Sequence, residues 1–358
     1  MPVATTPVTV ITGFLGSGKT TLVNRILRET HGQRLAVIEN EFGAVGVDAE
    51  FLVTEKNETV IQLDNGCLCC TVRGDLARAL NELAQQGDAG AFSFDQVLIE
   101  TTGIADPGPI IQTFLAETAL LTRFHLDGVV TLVDALHGLA ALERIEHRAQ
   151  IGYADRLLLT KCDLAEDTAR ELLDQRLAAM NPPARRLPVD LHRDDLAEVL
   201  ALLFDARGYT FDYVPPEELA RLRAARLDLA SPSRDGRLRP LGAGLHSEDV
   251  VSCVFESETP LDLERLNQVL DAAVQRFGPR LWRCKGVVFG AQQRQRLVVQ
   301  GVQSMIQIHG GTIWRSREPR RTVLVFIGQA LDVGWILAAL RLCEVGVASA
   351  PQAGLKPS

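Results

Sequence analysis

The chain has 358 residues, is 46% hydrophobic, carries a formal net charge of −8 and holds seven cysteines. It is long and apolar enough for two ordinary packed domains or one large one, which excludes disorder throughout. The acidic balance argues against a nucleic-acid partner, no apolar stretch nears the roughly 18 residues that cross a bilayer, and no signal-like start is present, so a cytoplasmic protein without a membrane partner is expected.

In chain order, "VTVITG" (Val8 to Gly13), "RLAVIEN" (Arg34 to Asn40), "QVLIET" (Gln96 to Thr101), "GVVTLVDA" (Gly128 to Ala135) and "RLLLTK" (Arg156 to Lys161) are short runs rich in Val, Ile and Leu that do not alternate with polar residues. Such runs suit strands buried on both faces of a parallel sheet, with helices such as Thr20 to Glu29 and Gly74 to Gln85 covering them. Residues 1–208 therefore read as a doubly wound α/β domain. Across 209–247 Pro, Gly, Ser and Arg accumulate and periodicity fades, as in a linker. Residues 248–345 then run strand ("VVSCVFES"), helix (Leu261 to Arg276), strands ("LWRCKGVVF", "RLVVQGV", "RTVLVFIG") and helix (Val333 to Leu342), which predicts a smaller α+β domain with a partly antiparallel sheet. Residues 346–358 read as a flexible tail.

The first strand runs into "GFLGSGKT", Gly13 to Thr20, the Gly-x4-Gly-Lys-[Ser/Thr] phosphate loop in its strand-to-helix context. Gly13, Gly16, Ser17, Gly18, Lys19, Thr20 and Thr21 are the candidate phosphate-binding residues: backbone N–H groups close on the phosphates, Lys19 reaches the β- and γ-oxygens, and the Thr20 hydroxyl suits Mg²⁺. "VLIETTGIADP" places Glu100 at the end of a buried strand, where a carboxylate holds Mg²⁺ through water, and Gly103 where a backbone N–H senses the γ-phosphate. A bare acid at a strand end is otherwise a capping or surface residue. Lys19, Glu100 and Gly103 are the candidate catalytic set. "LLLTKCDL" puts Thr160, Lys161 and Asp163 where P-loop GTPases carry Asn-Lys-x-Asp; a carboxylate there accepts both guanine donors, which adenine lacks, so GTP is expected although Thr replaces Asn. Asp163 as an ordinary helix N-cap is the plain alternative.

"NGCLCC" gathers Cys67, Cys69 and Cys70 within four residues. Three readings compete: a thiol-rich packed turn, a redox pair, and a site for a thiophilic metal. Three thiolates cannot complete a tetrahedral site, so an oxygen, a nitrogen or a water must join them. Zn²⁺, Co²⁺ or another thiophilic metal fits such donors. Cys162, Cys253, Cys284 and Cys343 read as small core residues, and no pair among the seven histidines has a ligand spacing that stands out.

Taken together, "TGFLGSGKTTL", "IENEFG", "GCLCC" before "VRGDL", "ETTGIADPGPIIQTF", "GYADRLLLTKCD" and "WRCKGVVF" resemble the CobW-type P-loop GTPases over essentially the whole chain. The resemblance implies GTP hydrolysis coupled to handling a transition metal, often zinc, for an unidentified client metalloprotein, and because no residue stands out as a water-positioning Gln the intrinsic turnover is expected to be slow. It also implies Glu39 as a metal ligand beside Cys67, Cys69 and Cys70, with Glu41 an alternate; Ala44 stands where relatives often carry another acid. Arg73 and Asp75 of "VRGDL" are lesser candidates. The rival readings are a small-molecule P-loop kinase and a non-catalytic switch with a structural metal.

Overall fold

The computed structural model describes residues 5–29, 32, 34–41, 51–53, 59–64, 71–90, 93–206, 208–209, 250–316 and 318–346, of which 39–41, 51–53, 59–64, 71–75 and 118–119 by backbone alone. Cys67, Cys69, Cys70, Ala44, the expected linker beyond Tyr209 and the tail beyond Gly346 lie outside them. The chain divides into two compact units, Met1–Arg176 with Ala184–Tyr209, and Leu177–Pro183 with Thr210–Ser358.

The first unit contains, in order, β1 (Thr6–Gly13), α1 (Lys19–Arg28), β2 (Leu35–Glu41), β3 (Phe51–Val53), β4 (Thr59–Asp64), α2 (Thr71–Asp88), β5 (Gln96–Glu100), α3 (Gly108–Ala116), α4 (Thr118–Leu121), β6 (Phe124–Asp134), α5 (Gly138–Ala141), α6 (Ile145–Tyr153), β7 (Arg156–Thr160), α7 (Asp167–Met180, its last turn grouped with the second unit), β8 (Arg185–Pro188) and α8 (Leu196–Leu203). Its sheet has the order β3-β4-β2-β5-β1-β6-β7-β8, with β4 through β8 parallel and β3 antiparallel to β4. Residues of β1, β5, β6 and β7 are buried on both faces, which is why these strands read as unbroken apolar runs. Leu22, Val23 and Ile26 of α1 pack with Val37, Leu98, Leu132 and Leu158 of the sheet and with Leu196, Val199 and Leu203 of α8. The register sets the carboxyl ends of β1, β5, β6 and β7 side by side: Ile11 opposite Glu100, Gly13 opposite Leu132, Asp134 opposite Thr160. Ligands of open parallel sheets bind at that edge.

The second unit holds β9 (Val250–Ser257), α9 (Leu263–Phe277), β10 (Leu281–Val288), β11 (Gln295–Val302), β12 (Met305–Ile313), β13 (Thr322–Gln329) and α10 (Val333–Arg341). Its sheet, β12-β11-β10-β13-β9, is antiparallel at every pairing rather than partly so. Helix α9 starts where the Asp262 carboxylate accepts the N–H groups of Glu264 and Arg265, and α10 where Asp332 accepts that of Trp335. Leu266, Leu270, Ala273 and Phe277 form the buried stripe of α9 and pack on Phe255, Cys284, Leu324 and Phe326. Strands β3, β4, β8 and β12 have no counterpart among the sequence-predicted strands. β8, "RRLP", and much of β12 are exposed or half-buried, so the apolar signal used to find strands is weak there. Among the described residues no helix is long and apolar enough to cross a membrane.

Candidate functional site

The loop between β1 and α1 is shaped by glycines. Gly18, at φ 103, is the N-cap of α1, and a side chain there would come within 2.7 Å of Leu191 Cδ1. No side chain among the described residues caps α1, so its first-turn N–H groups face the loop with the positive end of the helix dipole behind them. Ser17 Oγ is buried and finds no hydrogen-bond partner among the described residues. Lys19, only 7% exposed, curls back so that Nζ donates to the carbonyl oxygens of Gly13 at 2.8 Å and Phe14 at 3.0 Å. Burial pushes its ammonium below the ordinary lysine range, with the charge of Glu100 opposing that shift. A buried cation held by neutral carbonyls, beside uncapped N–H groups, is a cradle for an anion.

Beside this cradle, Thr20 Oγ1 donates to Glu100 Oε1 at 3.2 Å, bringing a hydroxyl and a carboxylate together as an oxygen donor set suited to Mg²⁺. Thr21 follows in the first turn of α1, and its side chain is exposed. Gly103, three residues past β5, lies against the phosphate loop so closely that a Cβ would sit 2.8 Å from the Leu15 nitrogen. Gly16, at φ 77, takes the left-handed conformation that favours glycine.

Thr160 and Lys161 face the phosphate loop rather than open solvent. Thr160 Oγ1 donates to the Ser17 carbonyl at 2.9 Å, while Lys161 Nζ donates to the Gly16 carbonyl at 2.9 Å and to Asp134 Oδ2 at 2.7 Å. Lys161 adopts φ 55, a left-handed conformation that bends the chain at the end of β7. Asp163 is exposed in the turn that follows, and α7 begins only at Asp167, so the plain reading of Asp163 as a helix N-cap does not hold. Asp134 was not among the residues singled out from the sequence, yet its carboxylate accepts from Lys161, His137 Nδ1 at 3.0 Å and the N–H groups of Leu136 and His137. The available signal was the one that marked Glu100, an acid at the end of a buried strand.

Two further side chains come from α6. His147 stacks on Phe14 of the phosphate loop with centroids 4.3 Å apart and bonds the Ala141 carbonyl through Nδ1. Burial lowers its pKa, partly opposed by that hydrogen bond. Gln150 donates to the carbonyl oxygens of Gly103 and Ala105. Nothing in the sequence marks either residue, because Phe14, Gly103 and Ala105 lie far from them along the chain.

Of the candidate metal ligands, Glu39 lies within β2, not in a loop, with its backbone in register with Glu100 of β5 and Gln62 of β4. Cys67, Cys69 and Cys70 lie outside the described residues, and Arg73 and Asp75 are placed by backbone only, in the first turns of α2. Burial raises the remaining thiols, Cys253 and Cys343 up to about 12 and Cys284 higher still, and also the half-buried Cys162, which disfavours the thiolate form that binds metal. Among the described residues no group of three His, Cys, Asp or Glu side chains is placed to hold a metal ion.

Residues 7–188 match the family model described as CobW/HypB/UreG, nucleotide-binding domain, and residues 250–344 that of the cobalamin synthesis protein cobW C-terminal domain. The chain is 38% identical over 333 residues to the zinc chaperone YjiA of Escherichia coli (strain K12), covering 93% of this chain and 96% of that protein. It is 32% identical over 359 residues to the zinc chaperone CobW of Pseudomonas aeruginosa, covering 94% and 90%. Among solved structures it resembles the crystal structure of Zn(II)-bound YjiA GTPase from E. coli, with a TM-score of 0.75 and 33% identity across 96% of this chain and 100% of that one.

Proposed function

The chain belongs to the CobW family of P-loop GTPases, and on that premise we propose that it uses GTP binding and hydrolysis to load a zinc ion and pass it to a client metalloprotein in the cytoplasm. The observation that carries this reading is the shared edge of the sheet. Lys19, Thr20 and Glu100 converge there, and β2 runs beside β5 so that the backbone of Glu39 is in register with that of Glu100. An element that leads toward the metal motif is thereby hydrogen-bonded, strand to strand, to the element carrying the acid of the nucleotide site.

On this reading the residues divide the work as follows. N–H groups of Lys19, Thr20 and Thr21 at the start of α1, with Lys19 Nζ, neutralise the phosphates, and Nζ exchanges the Gly13 and Phe14 carbonyls for phosphate oxygens. The Thr20 hydroxyl, and Glu100 through a water, would hold Mg²⁺, which when bound offsets charge on the β- and γ-oxygens. Thr160 and Lys161 brace the loop from β7 and present Asp163 to the guanine edge, where its carboxylate accepts the two ring-side donors. The Gly103 backbone senses the γ-phosphate. Zinc, the cargo, is held by Cys67, Cys69 and Cys70, three thiolates that fall short of a tetrahedral cage, and Glu39 closes the site with an exchangeable oxygen, which suits transfer. Cobalt or another thiophilic divalent ion is the alternative cargo. The proposed division is 1–208 for the GTPase domain, 209–247 for the linker and 248–345 for the C-terminal domain.

Because linkage is reciprocal, GTP and zinc are expected to strengthen each other's binding by the same factor, on the order of 5- to 150-fold. A competitive zinc titration of reduced protein with Mg²⁺-GDP and with a Mg²⁺-bound non-hydrolysable GTP analogue, repeated with Cys69→Ala, tests this. Tighter zinc with the analogue, lost in the variant, is the expected outcome. Equal affinity in both states would sink the gated-carrier reading and leave a structural metal or a redox pair.

A further inference from the structure

Helix α6 reaches the nucleotide edge with a residue that no phosphate-loop motif contains. Gln150 is 0% exposed, and its amide nitrogen donates to the carbonyl oxygens of Gly103 at 3.3 Å and Ala105 at 3.0 Å. Its backbone carbonyl accepts Thr131 Oγ1 of β6 at 2.9 Å, so the side chain stands on the central sheet. The clasped segment is a tight turn in which Ala105 N–H donates to the Thr102 carbonyl at 3.2 Å. On its far side Gly103 abuts the Leu15 backbone of the phosphate loop. Next door on the same helix, His147 stacks on Phe14, so α6 touches both loops of the site.

Gln150 is a poor space filler. Its Oε1 is buried and finds no hydrogen-bond partner among the described residues, which an apolar side chain of equal volume would avoid. What the glutamine supplies is a pair of N–H donors, and both go to the turn. In a trans peptide the C=O and the N–H point opposite ways. Holding the Gly103 and Ala105 carbonyls toward α6 therefore turns the N–H groups of Ile104 and Asp106 away from it.

We propose that Gln150 is a positioning residue: by clasping the Gly103 and Ala105 carbonyls it presets the turn at 102–106, and so sets how strongly the site prefers a nucleoside triphosphate over the diphosphate. The proposal rests on the reading that this turn senses the γ-phosphate. A turn held ready needs no ordering when triphosphate arrives, whereas a loose one loses conformational freedom on binding. The diphosphate does not engage the turn, so its affinity is independent of the clasp.

The test is equilibrium titration of the full-length, reduced protein in Mg²⁺ with GDP and with a non-hydrolysable GTP analogue. Gln150→Met keeps length and volume but removes both donors. The analogue-to-GDP affinity ratio is expected to fall about 5- to 30-fold, the effect of two neutral hydrogen bonds, with GDP affinity held and kcat for GTP reduced. A ratio left unchanged, including equal weakening of both nucleotides, overturns the proposal, since a merely structural role moves both alike. Gly103→Ala separates the two layers. If it shifts the ratio and Gln150→Met does not, the role of Gln150 fails alone; if neither shifts it, γ-phosphate sensing by this turn fails as well. Should Gln150→Met not fold, the side-chain amide resonances of Gln150 in ¹⁵N-labelled wild type decide. A shift and slower exchange in the analogue complex relative to GDP support the clasp, and identical behaviour in the two overturns it.

Discussion

Asp134 shows how much one unmarked residue can hold. Its carboxylate joins Lys161, and through Lys161 the Gly16 carbonyl, to His137 and two backbone N–H groups at the end of β6. Burial pushes the carboxyl up, but the hydrogen bonds from Lys161, His137 and the backbone outweigh it and leave the group below the ordinary carboxylate range. The folded pKa thus lies below the unfolded one, and Asp134's contribution to stability is complete above about pH 4 and disappears as pH falls through the lowered value. Asp134→Asn keeps the shape and removes the charge. We expect it to weaken GDP and GTP alike by about 1–2 kcal/mol, discounted from the effect of breaking a buried pair because the Lys161 side chain is 36% exposed. Calorimetric titration with both nucleotides at pH 7 checks this. A change in the GTP-to-GDP ratio would contradict it, because Asp134 braces the base side and not the γ-phosphate side.

At the scale of elements, the ends of helices decide as much as their faces. Helix α8 ends where the guanidinium of Arg156, on β7, donates from Nη1 to the carbonyls of Ala201, Leu202 and Phe204 at 3.2, 2.8 and 2.9 Å, and from Nη2 to that of Asp205 at 2.8 Å. The Ala201, Leu202 and Phe204 carbonyls are orphans of the helix C-terminus, satisfied here by one buried side chain from the sheet. Arg156→Met leaves them unpaired, and a loss of about 3 kcal/mol in urea-unfolding free energy is expected, with nucleotide affinity of the folded protein little changed. The same scale explains which elements were legible. Strands β1, β5 and β7 appear within a residue or two of their expected bounds because burial on both faces requires continuous apolar residues. Strand β6 starts four residues earlier than "GVVTLVDA", at Phe124, because "FHLD" mixes polar and apolar residues. Strand β12 lacks an apolar run because it is half-exposed and, among the described residues, pairs with β11 alone, so its identity depends on its partner's register, Val298 opposite His309 and Gln300 opposite Gln307.

For the whole molecule, nucleotide is a folding ligand. Any species that binds only the folded state adds RT ln(1 + [L]/Kd), so Mg²⁺-GDP at a hundredfold excess over its Kd is expected to stabilise the unit carrying the phosphate loop by about 2.7 kcal/mol. Lys19→Ala should remove most of that gain, and thermal unfolding with and without nucleotide measures it. The sequence by itself determined the family, the α/β class of the first unit and the phosphate loop, because eight consecutive residues deliver that loop's backbone N–H groups and lysine without help from the rest of the chain. It likewise marked Glu100 and "TKCD" by their place at strand ends. Only the tertiary structure decided how these are held. Lys161 meets an acid 27 residues away and Gln150 clasps a glycine carbonyl 47 residues away. Such contacts exist only once parallel strands align in register and α6 packs beside β1 and β6, and periodicity and local spacing carry no trace of them.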